Sequence, residues 1–159
     1  HFIGKFVVVY FDDILVDSAN LNDHLMHVMS VLEVLRKENL YGAIDKCSFC
    51  TSQVVFLGFV VGAQGVQVDQ EKVKAIMEWP TPTSVKDVKS FHGLASFYRR
   101  FVKDFSTIAS PLNELMKKTM SFSWKQEHET AFQTLKDKLS HAPILALPKF
   151  NASFELECE

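Results

Sequence analysis

The start of the chain carries two short apolar runs separated by a pair of acidic residues. Residues 6–10 and 14–16 are rich in β-branched side chains, which favour strands, and Asp12 and Asp13 lie between them. This pattern predicts a β-hairpin with two carboxylates at its tip. Because neighbouring strand residues face opposite sides of a sheet, both acids can serve one site only at a turn.

An amphipathic helix is predicted after this hairpin. Residues 18–20 end the strand pattern and offer a helix cap. Apolar residues then recur at alternating steps of four and three positions, at Leu21, Leu25, Val28, Leu32 and Leu35. The pattern ends near Asn39. A helix packed beneath a strand hairpin gives a two-layer α+β arrangement.

A second hairpin is predicted from residues 54–61 and 66–68, with residues 62–65 as its turn. Gly58 lies inside the first of these strands. A glycine there indicates a bulge or the close approach of another backbone.

Helical patterns dominate from Asp69 onward. A short helix is expected to stop before Pro80, and Ser84 with Asp87 has the spacing of a capping box that begins the next helix. Ser110 and Pro111 predict the start of another short helix. Further elements are expected in three places: a helix through Phe132, Leu135 and Leu139, a strand at 144–147 and a strand at 154–158.

Lys89, Gly93, Phe97 and Arg100 follow one another at steps of four, four and three, which places them on one helical face. Glycine inside a helix costs about 1 kcal/mol relative to alanine, so Gly93 requires a reason. Either a neighbouring helix or a nucleic-acid backbone packs closely there.

Charge is distributed unevenly over the 159 residues, although the net charge is only −2. Residues 72–125 hold ten Lys/Arg and four Asp/Glu, a balance of +6, whereas the rest holds seven and fifteen, a balance of −8. Such asymmetry is typical of a protein that grips phosphates with one part, and also of an ordinary solvated helical surface. At 47% hydrophobic and 23% charged residues the composition is globular.

The sequence also favours an intracellular protein without a membrane span. No apolar run approaches the ~20 residues that cross a bilayer, and the first residues lack a signal-peptide pattern. Three cysteines, an odd number, fit a reducing compartment. We expect the protein to be located in a cytoplasmic particle or in the nucleus.

Three residue pairs are candidate metal ligands. Asp12 and Asp13 suit a hard divalent cation such as Mg²⁺ or Mn²⁺, although a solvated turn between core strands is the alternative. A metal could also use the spacing of His24 and His27, but with no third ligand evident we expect exposed histidines. The remaining pair, Cys47 and Cys50, has the spacing of half a zinc site. The other thiol, Cys158, lies far along the chain, so we expect Cys47 and Cys50 to be small residues of the core instead.

Several separate stretches of the chain match one family in the right order. They are Tyr10-Phe11-Asp12-Asp13, Phe56-Leu57-Gly58-Phe59, Trp79-Pro80-Thr81-Pro82, Ser96-Phe97-Tyr98-Arg99-Arg100-Phe101 and Ala142-Pro143-Ile144-Leu145. The whole chain resembles the reverse transcriptase of gypsy-type LTR retrotransposons.

The resemblance implies three regions. Residues 1–68 would be the C-terminal half of a polymerase palm and residues 69–118 a helical thumb. Residues 119–159 would be a connection with the first strand of a truncated RNase H-like domain. Glu159 stands where relatives usually carry the first catalytic Asp of that domain, so hydrolysis is not expected of this chain.

The resemblance also implies roles for individual residues. Asp12 would be the principal metal ligand and Asp13 the auxiliary one, with Tyr10 and Phe11 lining the primer terminus and the incoming sugar. The matching primer grip is Phe56, Leu57 and Gly58. Lys89, Gly93 and Phe97 fall on the minor-groove track of the thumb, to which the helical spacing adds Arg100.

The reaction implied is attack of a primer 3′-hydroxyl on the α-phosphate of a deoxynucleoside triphosphate, with an RNA/DNA template–primer duplex as partner. The rest of the pol polyprotein would be a partner, since the third palm Asp and the fingers would lie upstream. Alone, this chain is expected to be inactive. The main alternative is a catalytically dead retrotransposon remnant that retains nucleic-acid binding, and a third reading is an unrelated Asp-Asp metal phosphotransferase.

Overall fold

The computed structural model describes residues 2–117 and 121–147 and consists of two compact units. The N-terminal unit ends at Leu57 and the C-terminal unit begins at Gly58. Strands and helices occur in both units, so the predicted α+β class is confirmed. In the described residues no helix is long and apolar enough to cross a membrane.

The N-terminal unit is a hairpin, a long helix and a short third strand. In chain order its elements are β1 (Val7–Tyr10), β2 (Asp13–Val16), α1 (Leu21–Lys37), a 3₁₀ turn (Ile44–Lys46) and β3 (Gln53–Phe56).

The predicted first hairpin and helix are confirmed. β1 and β2 pair antiparallel from Val7 opposite Val16 to Tyr10 opposite Asp13, as the alternating apolar pattern requires. The Asn20 side chain accepts a hydrogen bond from the Asp23 amide at 3.0 Å and caps α1. Packing of α1 against β2 gives the expected two layers.

The apolar stripe of α1 is only partly covered. No residue of this helix is buried, and Leu21, Leu25 and Leu32 keep 59%, 49% and 49% of their surface exposed. Of the hydrophobic side chains described in this unit, Val7 alone is buried. The unit therefore has a small core.

Two predictions about side chains in this unit are wrong. His24 and His27 are half-buried rather than exposed, because both Nδ1 atoms lie within hydrogen-bond distance of the Ser18 hydroxyl, at 3.3 and 2.8 Å. Cys47 and Cys50 are exposed rather than in the core, because the large apolar residues of the same segment are exposed too and form no core there: Leu40, Tyr41, Ile44 and Phe49.

The C-terminal unit combines a hairpin with four helices. Its elements are β4 (Phe59–Gly62), β5 (Gly65–Val68), α2 (Gln70–Met77), α3 (Val85–Phe97), a 3₁₀ turn (Arg99–Phe101), α4 (Phe105–Leu115) and α5 (Gln126–Ser140). β4 and β5 pair antiparallel, α4 and α2 pack on α5, and α3 packs on α4.

A continuous core fills the space between these helices. Phe91 of α3 and Phe132 of α5 are fully buried, with ring centroids 4.5 Å apart. The predicted helix through Phe132, Leu135 and Leu139 forms as α5, and these three residues are all buried. Lys136 is also buried, and its ammonium donates a hydrogen bond to the Trp79 carbonyl at 2.8 Å, which satisfies the charge-bearing group.

The predicted strand over residues 54–61 is interrupted. Leu57 and Gly58 have φ angles of 52° and 77° and form a turn between β3 and β4. Gly58 is therefore a turn residue and not an interior strand residue. The dipeptide lacks the Asn or Asp that usually marks such a turn in a sequence.

Two further boundaries differ from prediction. α4 begins at Phe105 rather than at Ser110, so Pro111 lies inside the helix. Ala109, Leu112 and Leu115 form its buried face, and burial of this face outweighs the hydrogen bond that proline cannot donate. The predicted strand at 144–147 is reduced to a single bridge between Leu145 and Val66. The strand at 154–158, Cys158 and Glu159 lie outside the described residues.

Candidate functional site

The two predicted metal ligands lie at the tip of the β1–β2 hairpin. Because Tyr10 pairs directly with Asp13, Phe11 and Asp12 form a two-residue turn, and Phe11 adopts the left-handed φ of 52°. Both carboxylates are exposed. Within residues 2–117 and 121–147, neither forms an ion pair or a side-chain hydrogen bond.

This turn offers an incomplete metal site. No group of three potential His, Cys, Asp or Glu ligands is present in the described part of the chain. Two unpaired carboxylates still fit a hard cation such as Mg²⁺, which keeps several waters and shares its remaining positions with substrate phosphates.

Two aromatic rings flank the carboxylates in solvent. Tyr10 is 52% and Phe11 86% exposed, and their rings meet edge to face with centroids 4.8 Å apart. Large rings left in water beside charged groups are candidates for contact with a ligand.

The predicted primer grip spans the turn at the boundary of the two units. Phe56 ends β3 half-buried, and Leu57 is exposed in the turn. In the C-terminal unit the Tyr98 hydroxyl donates a hydrogen bond to the Gly58 carbonyl at 2.8 Å. Burial raises the pKa of Tyr98, and the negative charge of Asp69 adds to this effect, so the phenol stays a donor at neutral pH.

Gly58 also lies against part of the predicted duplex-binding face. A Cβ at Gly58 would lie 3.2 Å from the Phe97 ring, so only glycine fits without displacing that ring. Phe97 stacks on Phe59 at 5.0 Å, and the Arg100 guanidinium lies 5.1 Å from the Phe59 centroid. Phe59, which sequence reasoning did not single out as a site residue, thus joins Gly58, Phe97 and Arg100 into one cluster.

The four predicted duplex-binding residues are all exposed. Lys89, Gly93 and Phe97 lie on α3, whereas Arg100 lies in the 3₁₀ turn that follows it, because α3 ends at Phe97. Nothing in the described structure lies within 4 Å of a Cβ placed on Gly93. Of the two alternatives for Gly93, close packing of a neighbouring helix is therefore excluded for the described residues.

Sequence reasoning missed one cation on this face. Lys86 lies seven residues, two helical turns, before Gly93, and it is exposed. The same spacing rule that grouped Lys89 with Phe97 could have found it. Lys86, Lys89, Gly93, Phe97 and Arg100 are called the α3 stripe below.

Two families of domains match the chain. Residues 1–61 match the reverse transcriptase (RNA-dependent DNA polymerase) domain, and residues 124–159 match the RNase H-like domain found in reverse transcriptase.

Curated relatives are polyproteins of transposons. The retrovirus-related Pol polyprotein from transposon gypsy of Drosophila melanogaster is 39% identical, over 97% of this chain and 16% of the relative. The transposon Tf2-3 polyprotein of Schizosaccharomyces pombe is 33% identical, over 96% of this chain and 12% of the relative. The chain thus spans less than a fifth of either polyprotein.

Solved structures agree with these matches. The foamy viral protease-reverse transcriptase in complex with an RNA/DNA hybrid superposes with a TM-score of 0.82 at 29% identity, covering 88% of this chain and 19% of that one. The same enzyme in complex with double-stranded DNA gives a TM-score of 0.82 at 28% identity, covering 91% and 31%.

Proposed function

Because this chain belongs to the reverse transcriptase family, we propose that its Asp12–Asp13 turn supplies metal-binding carboxylates for nucleotidyl transfer onto a primer 3′-hydroxyl. The whole reaction is that of a longer Pol polyprotein, to which this chain contributes one part. The observation that carries the proposal is two adjacent, exposed carboxylates with no ion-pair partner in the described structure.

Asp12 and Asp13 would hold Mg²⁺ or Mn²⁺. Bound there, such ions would lower the pKa of the attacking hydroxyl and neutralise charge on the departing pyrophosphate. The hairpin keeps both carboxylates in solvent, where phosphate oxygens of a deoxynucleoside triphosphate can complete the coordination.

The neighbouring residues would position the primer and the nucleotide. Tyr10 and Phe11 present exposed rings that can lie against sugars. The Leu57–Gly58 turn would hold the primer end, and the Tyr98 hydroxyl fixes the Gly58 carbonyl that forms part of this turn.

A second candidate function is duplex binding without catalysis, as in a decayed element. The observation that favours it is the α3 stripe, where cations surround a glycine that faces open space. A helix face with Gly93 at its centre can approach the wide, shallow minor groove of an A-form duplex. Lys86, Lys89 and Arg100 would neutralise phosphates beside it.

Metal titration tests the first proposal directly. Adding Mg²⁺ or Mn²⁺ to the 159-residue chain should perturb the backbone amides of residues 11–14 at millimolar concentration, since two ligands give weak binding. Asp12→Asn should abolish the response. Asp45→Asn, which removes the same charge from an exposed 3₁₀ turn, should leave it intact.

Two results would contradict the metal-binding proposal. One is the absence of any perturbation at residues 11–14 at millimolar metal. The other is an equal response in Asp12→Asn and in the unaltered chain.

A further inference from the structure

A cleft of about 490 Å³ lies beside the α3 stripe in the C-terminal unit. One wall comes from the segment after α3, with Arg100 and Lys103, and the other comes from the end of α5, with Lys138 and His141. Two separate elements thus line the cleft with two lysines, one arginine and one imidazole.

The three cations have no carboxylate partner in the described structure. Arg100, Lys103 and Lys138 are exposed, and none of them forms an ion pair within residues 2–117 and 121–147. The carboxylate in the lining, Asp137, lies 3.3 Å from the Nδ1 atom of His141. Like charges held around a concave surface attract anions, because their fields add there.

Stabilisation of a helix end accounts for the basic side chains of only one wall of the cleft. The C-terminal end of a helix favours cations, so Lys138 stabilises the end of α5, where the His141 Nδ1 atom also lies 3.0 Å from the Asp137 carbonyl. Arg100 and Lys103 belong to another element, and Lys103, in the turn before α4, has no such role. They are held in place because the residues between them, Phe101 and Val102, are 4% and 5% exposed and anchored in the core.

Arg100 belongs to both the cleft and the α3 stripe. Its guanidinium packs over Phe59, which fixes the point where the two surfaces meet. We propose that the cleft binds phosphate groups of the nucleic-acid duplex that lies on the α3 stripe, so that the phosphate track continues across Lys103 to Lys138. This proposal rests on the duplex-binding function proposed above.

The test of the cleft proposal is the salt dependence with which a labelled RNA/DNA hybrid binds to the whole chain. Binding is measured by fluorescence anisotropy without divalent metal. Lys103→Ala and Lys138→Ala should each lower the slope of log affinity against log salt by about 0.9, and the double variant by about twice that. Between 50 and 200 mM salt, each lost contact corresponds to roughly a threefold to fourfold change.

Lys74→Ala is the matched control, because it removes an exposed lysine of α2 that is 3.9 Å from Glu78. It should leave the slope unchanged. If both cleft variants behave like this control while Lys89→Ala lowers the slope, the cleft proposal is overturned and the stripe stands. The metal-free conditions keep this result independent of catalysis.

A free triphosphate carries the same phosphate groups and is the other ligand that fits the cleft. Inorganic tripolyphosphate should shift the amides of Lys103 and Lys138 only weakly, and the hybrid should compete it away. A tripolyphosphate that shifts them strongly and is not displaced by the hybrid would overturn the duplex assignment.

Discussion

Gly93 occupies an exposed helical position where a larger side chain would meet nothing in the described structure. Gly93→Ala should therefore raise the free energy of unfolding, by up to about 1 kcal/mol, because alanine loses less backbone entropy in a helix. Chemical denaturation of the two proteins measures this difference. An unchanged or lower stability would mean that Gly93 has a packing role.

A large side chain at Gly93 should weaken duplex binding, in contrast to the gain in stability expected from alanine. Gly93→Leu should weaken duplex binding by steric block while the salt slope stays constant, whereas Lys89→Ala should lower the slope by about 0.9. Anisotropy titrations at several salt concentrations separate the two effects. Ala75→Leu adds comparable bulk to an exposed site on α2 and should bind as the unaltered chain does. Equal binding by all variants would make the stripe an ordinary surface.

Tyr98 is the residue that fixes the Gly58 carbonyl. Tyr98→Phe keeps the buried ring but removes the 2.8 Å hydrogen bond, so it should lower the free energy of unfolding by about 1 kcal/mol. Amide hydrogen exchange should quicken at Gly58 and Phe59 beyond the global change. Equal exchange there in both proteins would show that the hydroxyl does not hold the turn.

At the scale of elements, the start of α3 depends on a small hydrogen-bonded cap. The Ser84 hydroxyl accepts from the Asp87 amide at 3.2 Å, and the Asp87 carboxylate accepts from the amide and hydroxyl of Thr83, both at 3.1 Å. Ser84→Ala should lower the free energy of unfolding by about 1 kcal/mol. Ser90→Ala, in the exposed middle of α3, is the control and should not lower it.

The same cap predicts a pH dependence. Hydrogen bonds, first from Ser84 and then from Thr83, lower the pKa of Asp87 from its usual 3.8. Its folded pKa lies below the unfolded one, so its stabilisation is present above pH 3.8 and is lost as the pH falls through the folded pKa. Asp87→Asn should flatten the stability profile in this window, which denaturation at several pH values checks. An unchanged profile would contradict this.

Elements with periodic apolar patterns and capping residues were predictable from the sequence. α1 with Asn20 and α3 with Ser84 form as expected, because both depend on local interactions. The start of α4 was not predictable, since tertiary burial of Ala109 and Leu112 overrides the local preference of Pro111 for the first turn of a helix.

The site was predictable where it depends on spacing and not where it depends on distant contacts. Asp12 and Asp13 could be located at a turn because the apolar runs on both sides set the register. Phe59 and Tyr98 could not be assigned, since their contacts join residues about 40 positions apart, as in the Tyr98–Gly58 hydrogen bond. Local patterns carry no information on such contacts.

At the scale of the whole molecule, primer extension depends on how many metal ligands the chain supplies. Asp12 and Asp13 have no third candidate ligand beside them in the described structure. We therefore expect primer extension by the purified chain to equal the no-protein background, because stabilisation of the transition state needs both metals held in place. Extension that disappears in Asp12→Asn would contradict this and show that two carboxylates suffice.

The uneven burial of hydrophobic side chains has a consequence for how the molecule comes apart. The buried cluster of aromatic and aliphatic residues lies wholly in the C-terminal unit, whereas α1 buries none of its side chains. Local opening requires less free energy where few apolar contacts are lost. On heating, α1 should lose its amide protection well before α3 and α5, so the melting curves of probes in the two units should not coincide, as a single two-state transition would require.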